Sequence, residues 1–202
     1  IGKISPDCGN NCIHFFHRVK KRFIRPEVIR SVTVCGGTSS DLIKNNKLDL
    51  DPSRNDHWNV TFHDSCNTSR AMGLIEEPRY VINNTCNHFF EMPENTIKEQ
   101  TFCCGSGAGL GTDENLEMRL RGGFPRANAV KFVKEKYGVN FLGCICAIDK
   151  ATLPPLMDYW VGDVEVGGVH ELVGNALVMK GEKERTTDLR GEPLSVNEGA
   201  KK

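Results

Sequence analysis

Short apolar runs alternate along the chain with longer segments of helical spacing. Four runs typical of buried strands lie at 31–35, 60–63, 88–92 and 139–143. Three longer stretches with helical spacing lie at 113–137, 149–160 and 168–180. Another helix is predicted to begin near 78–82, because Glu76 and Glu77 favour a helix N-terminus. Strands that alternate with helices predict an α/β fold, with a small, mostly parallel sheet and flanking helices.

The same pattern divides the chain into three parts. Residues 1–56 are expected to form an N-terminal segment that belongs to a preceding or duplicated half-domain, and residues 57–180 the main domain. The polar residues 181–202 are expected to form an extended tail. Because the first residue is Ile1 rather than Met, the sequence is interpreted as part of a longer protein.

Charge and hydropathy argue against two kinds of function. Lys and Arg total 26 and Asp and Glu also total 26, so the basic excess typical of a nucleic-acid-binding protein is missing. No stretch of the sequence reaches the about 20 apolar residues that a membrane-spanning helix needs. Any membrane attachment is therefore expected to come through a partner subunit.

Nine cysteines indicate metal or redox chemistry. An odd number cannot pair fully into disulfides, and 202 residues can build a core without disulfide staples. Five cysteines follow an expected strand or lie close after one: Cys66, Cys103, Cys104, Cys144 and Cys146. Since parallel strands end at one edge of a sheet, these cysteine-bearing loops are expected to converge there.

The neighbouring pair Cys103 and Cys104 favours a cluster of several irons over a single ion. Thiolates bind both iron–sulfur clusters and zinc, but two adjacent cysteines do not easily share one tetrahedral zinc site. Gly105 and the glycines that follow it let the backbone approach an inorganic core and donate hydrogen bonds to its sulfides. Two alternatives stay open: a zinc-binding interaction module, and a metal-free dithiol with a reactive cysteine.

Four short motifs give the chain a specific resemblance. They are His63-Asp-Ser-Cys66 with Gly73 after it, Glu77-Pro-Arg79, Glu91-Met92 and Phe102-Cys-Cys-Gly105. Together they resemble the CCG cysteine-rich domain of the heterodisulfide reductase family. The resemblance implies a non-cubane 4Fe–4S cluster at which a sulfur–sulfur bond is opened. The same domain occurs in the iron–sulfur subunit of glycolate oxidase, so an electron-transfer subunit of a 2-hydroxyacid oxidase is a further alternative.

Residues in the C-terminal part of the chain indicate which branch of this family it resembles. Residues 146–156 and 181–193 resemble the catalytic iron–sulfur subunit of the membrane complex associated with dissimilatory sulfite reductase. This implies an oxidoreductase of sulfate respiration that reduces or forms a disulfide or trisulfide on a small sulfur-carrier protein with C-terminal cysteines. It also implies a quinone-reactive membrane cytochrome subunit as partner, further conventional 4Fe–4S clusters elsewhere, and a peripheral place on the cytoplasmic face of the inner membrane.

The family pattern also implies the site residues, with one departure. Where the family ends its motif with Cys-x-x-Cys from Cys146, this chain has Asp149, and an additional cysteine, Cys144, lies upstream. Because iron–sulfur clusters prefer thiolates, Cys144 is favoured over Asp149 as a ligand. The expected ligands and cofactor-binding residues are Cys66, Cys103, Cys104, Cys144 and Cys146, with Gly105 beside them.

The sequence leaves two alternative roles open for His63 and for Arg79. Cys103 and Cys104 are also expected to be catalytic, and His63 either donates a proton to a leaving thiolate or supports the site by a hydrogen bond. Arg79 is interpreted either as a counter-charge for an anionic cluster or as a surface residue. Cys35 is expected to be buried within a strand. No role is assigned to Cys8 or Cys12.

Overall fold

A three-stranded parallel sheet organises the fold, which a computed structural model describes for residues 35–107, 110 and 112–179, with side chains from residue 39 onward. The strands are β1 Val60–Phe62, β2 Phe141–Cys144 and β3 Glu165–Gly168, in the spatial order β1-β2-β3. Apart from the first residue of β3, every strand residue is buried, as a parallel sheet covered on both faces requires. The predicted α/β fold with a small parallel sheet is confirmed.

Six α-helices surround this sheet in the described part of the chain. They are α1 Cys35–Lys44, α2 Glu76–Thr85, α3 Leu116–Gly122, α4 Phe124–Tyr137, α5 Ala147–Trp160 and α6 Val169–Ala176. The stretch 113–137 forms two helices rather than one, because α3 ends at Gly122 and α4 begins at Phe124. Helix α4 has Pro125 in its first turn and ends at Gly138, whose φ of 68° is left-handed.

Two clusters of buried apolar residues form the core, one on each face of the sheet. Phe141 packs with Val60, Phe62 and the apolar side of α2 and α6. The next residue, Leu142, packs instead with residues of α4 and α5. Successive residues of a strand face opposite sides, so β2 contributes to both clusters. Ile43 of α1 belongs to the first cluster, and α1 therefore packs on the same domain.

Three sequence predictions differ from the structure. Residues 88–92 form one bridge, between Phe89 and Val60, and then turn away at Pro93 instead of continuing as a strand. Strand β3 was not predicted, because its sequence Glu-Val-Gly-Gly has little strand preference and it is held in place by pairing with β2. Cys35 begins helix α1 rather than lying within a strand.

Several other predictions concern residues outside the described ranges. These are residues 31–34 of the expected strand, the two cysteines Cys8 and Cys12, and the polar tail 181–202.

Candidate functional site

A pocket lies where the chain leaves the carboxyl ends of β1 and β2. These two strands are parallel neighbours, so the turns that follow them lie side by side. The loop that carries the adjacent cysteines forms a further wall. The pocket has a volume of about 180 Å³, and its lining residues are Ser65, Cys66, Asn67, Cys103, Cys104, Ser106, Gly107, Cys146, Ile148 and Asp149.

Four of the five cysteines predicted as ligands line this pocket. Cys66 and Cys103 are exposed to solvent, whereas Cys104 and Cys146 are buried. Three separated stretches of backbone thus bring their cysteines to one place. Two of these stretches follow β1 and β2, whereas the one with Cys103 and Cys104 follows no strand of the described sheet. Iron ligation by these four residues stays a prediction.

The fifth predicted ligand, Cys144, lies in the core. Its thiol donates a hydrogen bond to the carbonyl oxygen of Gly167 at 3.5 Å, and its side chain belongs to the cluster that contains Leu142. Burial raises the pKa of the Cys144 thiol well above its usual value, which disfavours the thiolate that binds iron. Asp149 lines the pocket instead, so the structure places Asp149 rather than Cys144 beside the other four cysteines, and ligation by Cys144 stays a prediction.

Asp149 is a buried acceptor shared by two side chains that follow β1. Its Oδ2 accepts a hydrogen bond from the Ser65 hydroxyl and lies 3.4 Å from His63 Nε2. Burial opposes its charge, but the charge of His63 and the donors His63, Ser65 and Cys104 hold the pKa of Asp149 below its ordinary value. His63 does not line the pocket and reaches it through Asp149. The Asp149 carboxylate therefore already has protein donors, Ser65 and His63.

The adjacent thiols Cys103 and Cys104 have opposite acidities. A hydrogen bond from Cys104 lowers the pKa of Cys103 to about 5, against the effect of burial. The backbone N–H of Gly105 supports the same thiolate with a hydrogen bond to Cys103 Sγ at 3.3 Å. The pKa of Cys104 is raised by that shared hydrogen bond and by burial. The exposed Cys103 is thus the more acidic thiol of the pair, and the buried Cys104 the less acidic one.

Gly105 is required by packing as well as by the site. Its φ of 93° is a left-handed conformation, and a Cβ there would lie 2.3 Å from the carbonyl oxygen of Arg119. The turn after the cysteine pair therefore presses against the end of α3. This contact positions the donor N–H of Gly105.

An ion-pair cluster of Asp64, Arg79 and Glu91 fixes the chain beside Cys66. Arg79 donates to both oxygens of Asp64 at 2.9 and 2.7 Å and to both oxygens of Glu91 at 2.5 and 3.1 Å. Arg79 is 6% exposed, so the surface interpretation was wrong. The backbone N–H of Lys98 also donates to Asp64, at 2.8 Å. These motif residues hold the backbone together rather than line the pocket.

One functional candidate, Arg126, was missed in the sequence. It is fully buried in α4, next to Ala127, Ala129 and Val130 on the buried side of that helix. An ionised side chain on an apolar helical stripe is a signal that the sequence does contain. Asp149 lies on the buried side of α5 in the same way.

A single-ion site is not preformed in the described residues. There, no group of three or more His, Cys, Asp or Glu side chains converges closely enough to hold one metal ion. In the same part of the chain, no helix has the length and hydropathy to cross a bilayer.

The fold and the site define an α/β domain with cysteines gathered at the carboxyl edge of its sheet. The family model of the CCG cysteine-rich domain matches residues 60–137. Residues 60–137 of the chain therefore belong to the CCG cysteine-rich domain family. Cys144, Cys146 and Asp149 lie beyond the matched residues.

Most of the chain is similar to iron-sulfur subunits from two Archaeoglobus species. It is 56% identical over 162 residues to Hdr-like menaquinol oxidoreductase iron-sulfur subunit 2 of Archaeoglobus fulgidus, covering 78% of this chain and 29% of that subunit. It is 53% identical over 161 residues to the Hdr-like menaquinol oxidoreductase iron-sulfur subunit of Archaeoglobus profundus, with the same coverages of 78% and 29%.

A more distant relative belongs to the dihydromethanophenazine:CoB--CoM heterodisulfide reductase of Methanosarcina acetivorans. The matching subunit of that enzyme is 33% identical over 143 residues, which are 68% of this chain and 32% of the subunit. The chain thus spans under a third of the length of these relatives. No solved structure matches it significantly.

Proposed function

We propose that this chain is the iron–sulfur domain of a quinone-linked electron-transfer protein that reduces or forms a sulfur–sulfur bond. The observation that carries the proposal is the gathering of Cys66, Cys103, Cys104 and Cys146 around one pocket. The Archaeoglobus relatives are named for menaquinol oxidation, and the Methanosarcina relative is named for heterodisulfide reduction. These names support the two ends of the proposed electron path.

The residues of the pocket fit an iron–sulfur cluster. Thiolates are the usual ligands of such clusters, and the ligands bind separate irons rather than one ion. The Ser106 hydroxyl lines the pocket and is buried without a hydrogen-bond partner among the described residues, so it is available to donate to a cluster sulfur. We propose a 4Fe–4S cluster of the non-cubane type, held by Cys66, Cys103, Cys104 and Cys146.

Bound there, such a cluster would supply one-electron chemistry to a substrate sulfur. Cys66 and Cys103 are the exposed members of the set, so a carrier cysteine is proposed to approach from their side. His63 holds Asp149, and Asp149 faces the pocket. A proton for a leaving thiolate is therefore proposed to pass from His63 through Asp149. This pathway gives His63 a role without contact with the substrate.

The wider assignments are parts of the same proposal. We propose residues 57–180 as the CCG domain, with α1 packed on it through Ile43. A small sulfur-carrier protein is the proposed substrate, and a quinone-reactive membrane subunit is the proposed partner. The protein that contains this domain would then lie at the membrane surface through that subunit.

An EPR experiment with a thiol substrate tests the proposal. The native protein is purified without oxygen and oxidised with and without a thiol, and we expect a paramagnetic signal that depends on the thiol. The signal should disappear in Cys103→Ser and Cys104→Ser. Cys86→Ser is the matched control, because Cys86 is a buried cysteine at the end of α2, outside the pocket lining. A wild-type protein without iron, or a signal that survives both pocket substitutions, would contradict the proposal.

A further inference from the structure

Arg126 has an unusual environment for a buried charge. It is 0% exposed, and no carboxylate oxygen lies within 4 Å of its nitrogens in the described residues. It donates instead to the Thr96 carbonyl at 2.6 Å, the Thr101 hydroxyl at 2.7 Å and Met92 Sδ at 2.8 Å. Within the described ranges its Nε has no hydrogen-bond partner. Burying a charge with only neutral partners is costly, and an apolar side chain of similar volume would often fill such a site at lower cost.

The contacts of Arg126 place it directly behind the cysteine pocket. Thr101, which accepts from Arg126, lies two residues before Cys103 in the sequence. The same hydroxyl donates to the backbone carbonyl of Asp64 at 2.7 Å, two residues before Cys66. Arg126 is thus tied, through one threonine, to both chain segments that carry the exposed cysteines.

The nearby anionic groups are Asp64, Asp149 and the thiols Cys103 and Cys104. Burial lowers the pKa of Arg126 to about 10, and these four groups act against that effect. Both carboxylates have other donors, since Arg79 pairs with Asp64 and Ser65 with Asp149. The pocket thiols Cys103 and Cys104 are thus two of the four negative groups whose field acts on Arg126, and they are the two whose charge changes with what the pocket holds.

We infer that Arg126 is a positioning residue whose charge stabilises the reduced form of the thiolate-bound group in the pocket and raises its reduction potential. The inference rests on the proposed function. Each added electron makes a cluster with its thiolates more negative, and a fixed positive charge in a dry interior favours that state. Arg126 acts through its field, without contact with the substrate.

A redox titration of the native protein, followed by the EPR signal of the site, tests the inference. The neutral variants Arg126→Gln and Arg126→Met should weaken the reduced form at least tenfold, a fall of about 59 mV for one electron. Arg126→Lys should keep most of the wild-type potential. Arg121→Gln is the control, because Arg121 is an exposed arginine paired with Glu117 and its charge is screened by solvent.

The outcomes separate this inference from the proposed function. An unchanged potential in both neutral variants, with a loaded cluster, overturns the inference alone. If both variants lose the cluster while the iron-free protein keeps its stability, the charge is needed to hold an anionic group, which supports the inference. If the iron-free stability falls as far as in Arg79→Met, Arg126 is structural and the inference is wrong. A wild-type protein without a cluster overturns the proposed function and the inference together.

Discussion

Two buried arginines contact the chain segments that lead to the exposed cysteines, Arg79 through Asp64 and Arg126 through Thr101, and their surroundings are opposite. Arg79 sits between two carboxylates and satisfies both. Burial works against its charge, but the hydrogen bonds to Asp64 and Glu91 raise the pKa of Arg79 above its ordinary value. Arg126 has only neutral hydrogen-bond partners, and burial lowers its pKa to about 10.

The difference shows which charge belongs to the fold and which to the site. In the ion-pair cluster of Asp64, Arg79 and Glu91, both carboxylates share one guanidinium, and these contacts fix the backbone after β1. The negative groups near Arg126 include two thiols whose charge depends on what the pocket holds. A sequence motif that contains Arg79 thus identifies a structural support, whereas the charge that acts on the pocket lies outside the motifs.

The largest effect is expected for Arg79→Met. The substitution leaves Asp64 and Glu91 without their shared cation, and one of these carboxylates is fully buried. Removing one partner of a buried ion pair costs about 3–5 kcal/mol. Urea unfolding of the iron-free protein measures the loss. Arg121→Met should change the unfolding free energy by less than about 0.5 kcal/mol, and equal losses in both variants would contradict a structural role for the cluster.

Arg126→Met should destabilise the iron-free protein less. The substitution leaves the Thr96 carbonyl and Thr101 hydroxyl without a donor, but it also removes a buried charge that lacks a carboxylate partner. The two effects oppose each other, so we expect a net loss below about 2 kcal/mol. The same unfolding experiment measures it. A loss as large as that of Arg79→Met would remove the distinction between the two arginines.

A smaller effect is expected within the ion-pair cluster itself. The side chain of Glu91 is 35% exposed, against 1% for Asp64. Solvent screens the outer pair, so Glu91→Gln should cost about 0.5–1 kcal/mol. Asp64→Asn is the matched comparison and should cost more, because its carboxylate accepts three hydrogen bonds in the interior. Thermal unfolding of both variants checks the order, and a reversed order would show that Glu91 is the main anchor.

The smallest effect concerns Asp149, whose contribution to the unfolding free energy is expected to change with pH only in the acid range. Its folded pKa is depressed below the ordinary value of 3.8, so its charge contributes stability above that pH, and the contribution is lost as pH falls further. The unfolding free energies of the iron-free wild type and Asp149→Asn should therefore differ by a constant amount above about pH 5 and converge below pH 3.8. A difference that grows with acid would mean that the carboxylate is not stabilised by His63 and Ser65.

The sequence predicted those helices and strands whose own residues show helical spacing or a continuous apolar run. Helix α4 has apolar spacing with Pro125 and Gly138 near its ends, and β2 is continuously apolar. Strand β3 could not be predicted, because its two glycines give no local signal and its place comes from pairing with β2. Likewise Phe89 pairs at one residue only, although its surrounding run resembles a strand.

The site was predictable in its members but not in its geometry. Motif spacing selects Cys66, Cys103, Cys104 and Cys146, which the structure brings to one pocket. The choice between Cys144 and Asp149 depends on which face of β2 carries Cys144 and which side of α5 carries Asp149, and spacing alone cannot fix that. The sequence does show ionised residues on apolar stripes, at Asp149 in α5 and Arg126 in α4, and that pattern could have identified both.

The most direct test of the account compares two cysteines that are two residues apart. Cys146 lines the pocket, whereas Cys144 donates to the Gly167 carbonyl in the core. In native protein purified without oxygen, iron and acid-labile sulfide are measured together with the EPR signal of the site. We predict that Cys146→Ser loses the cluster and that Cys144→Ser keeps it. Retention in Cys146→Ser with loss in Cys144→Ser would contradict the proposed cluster site.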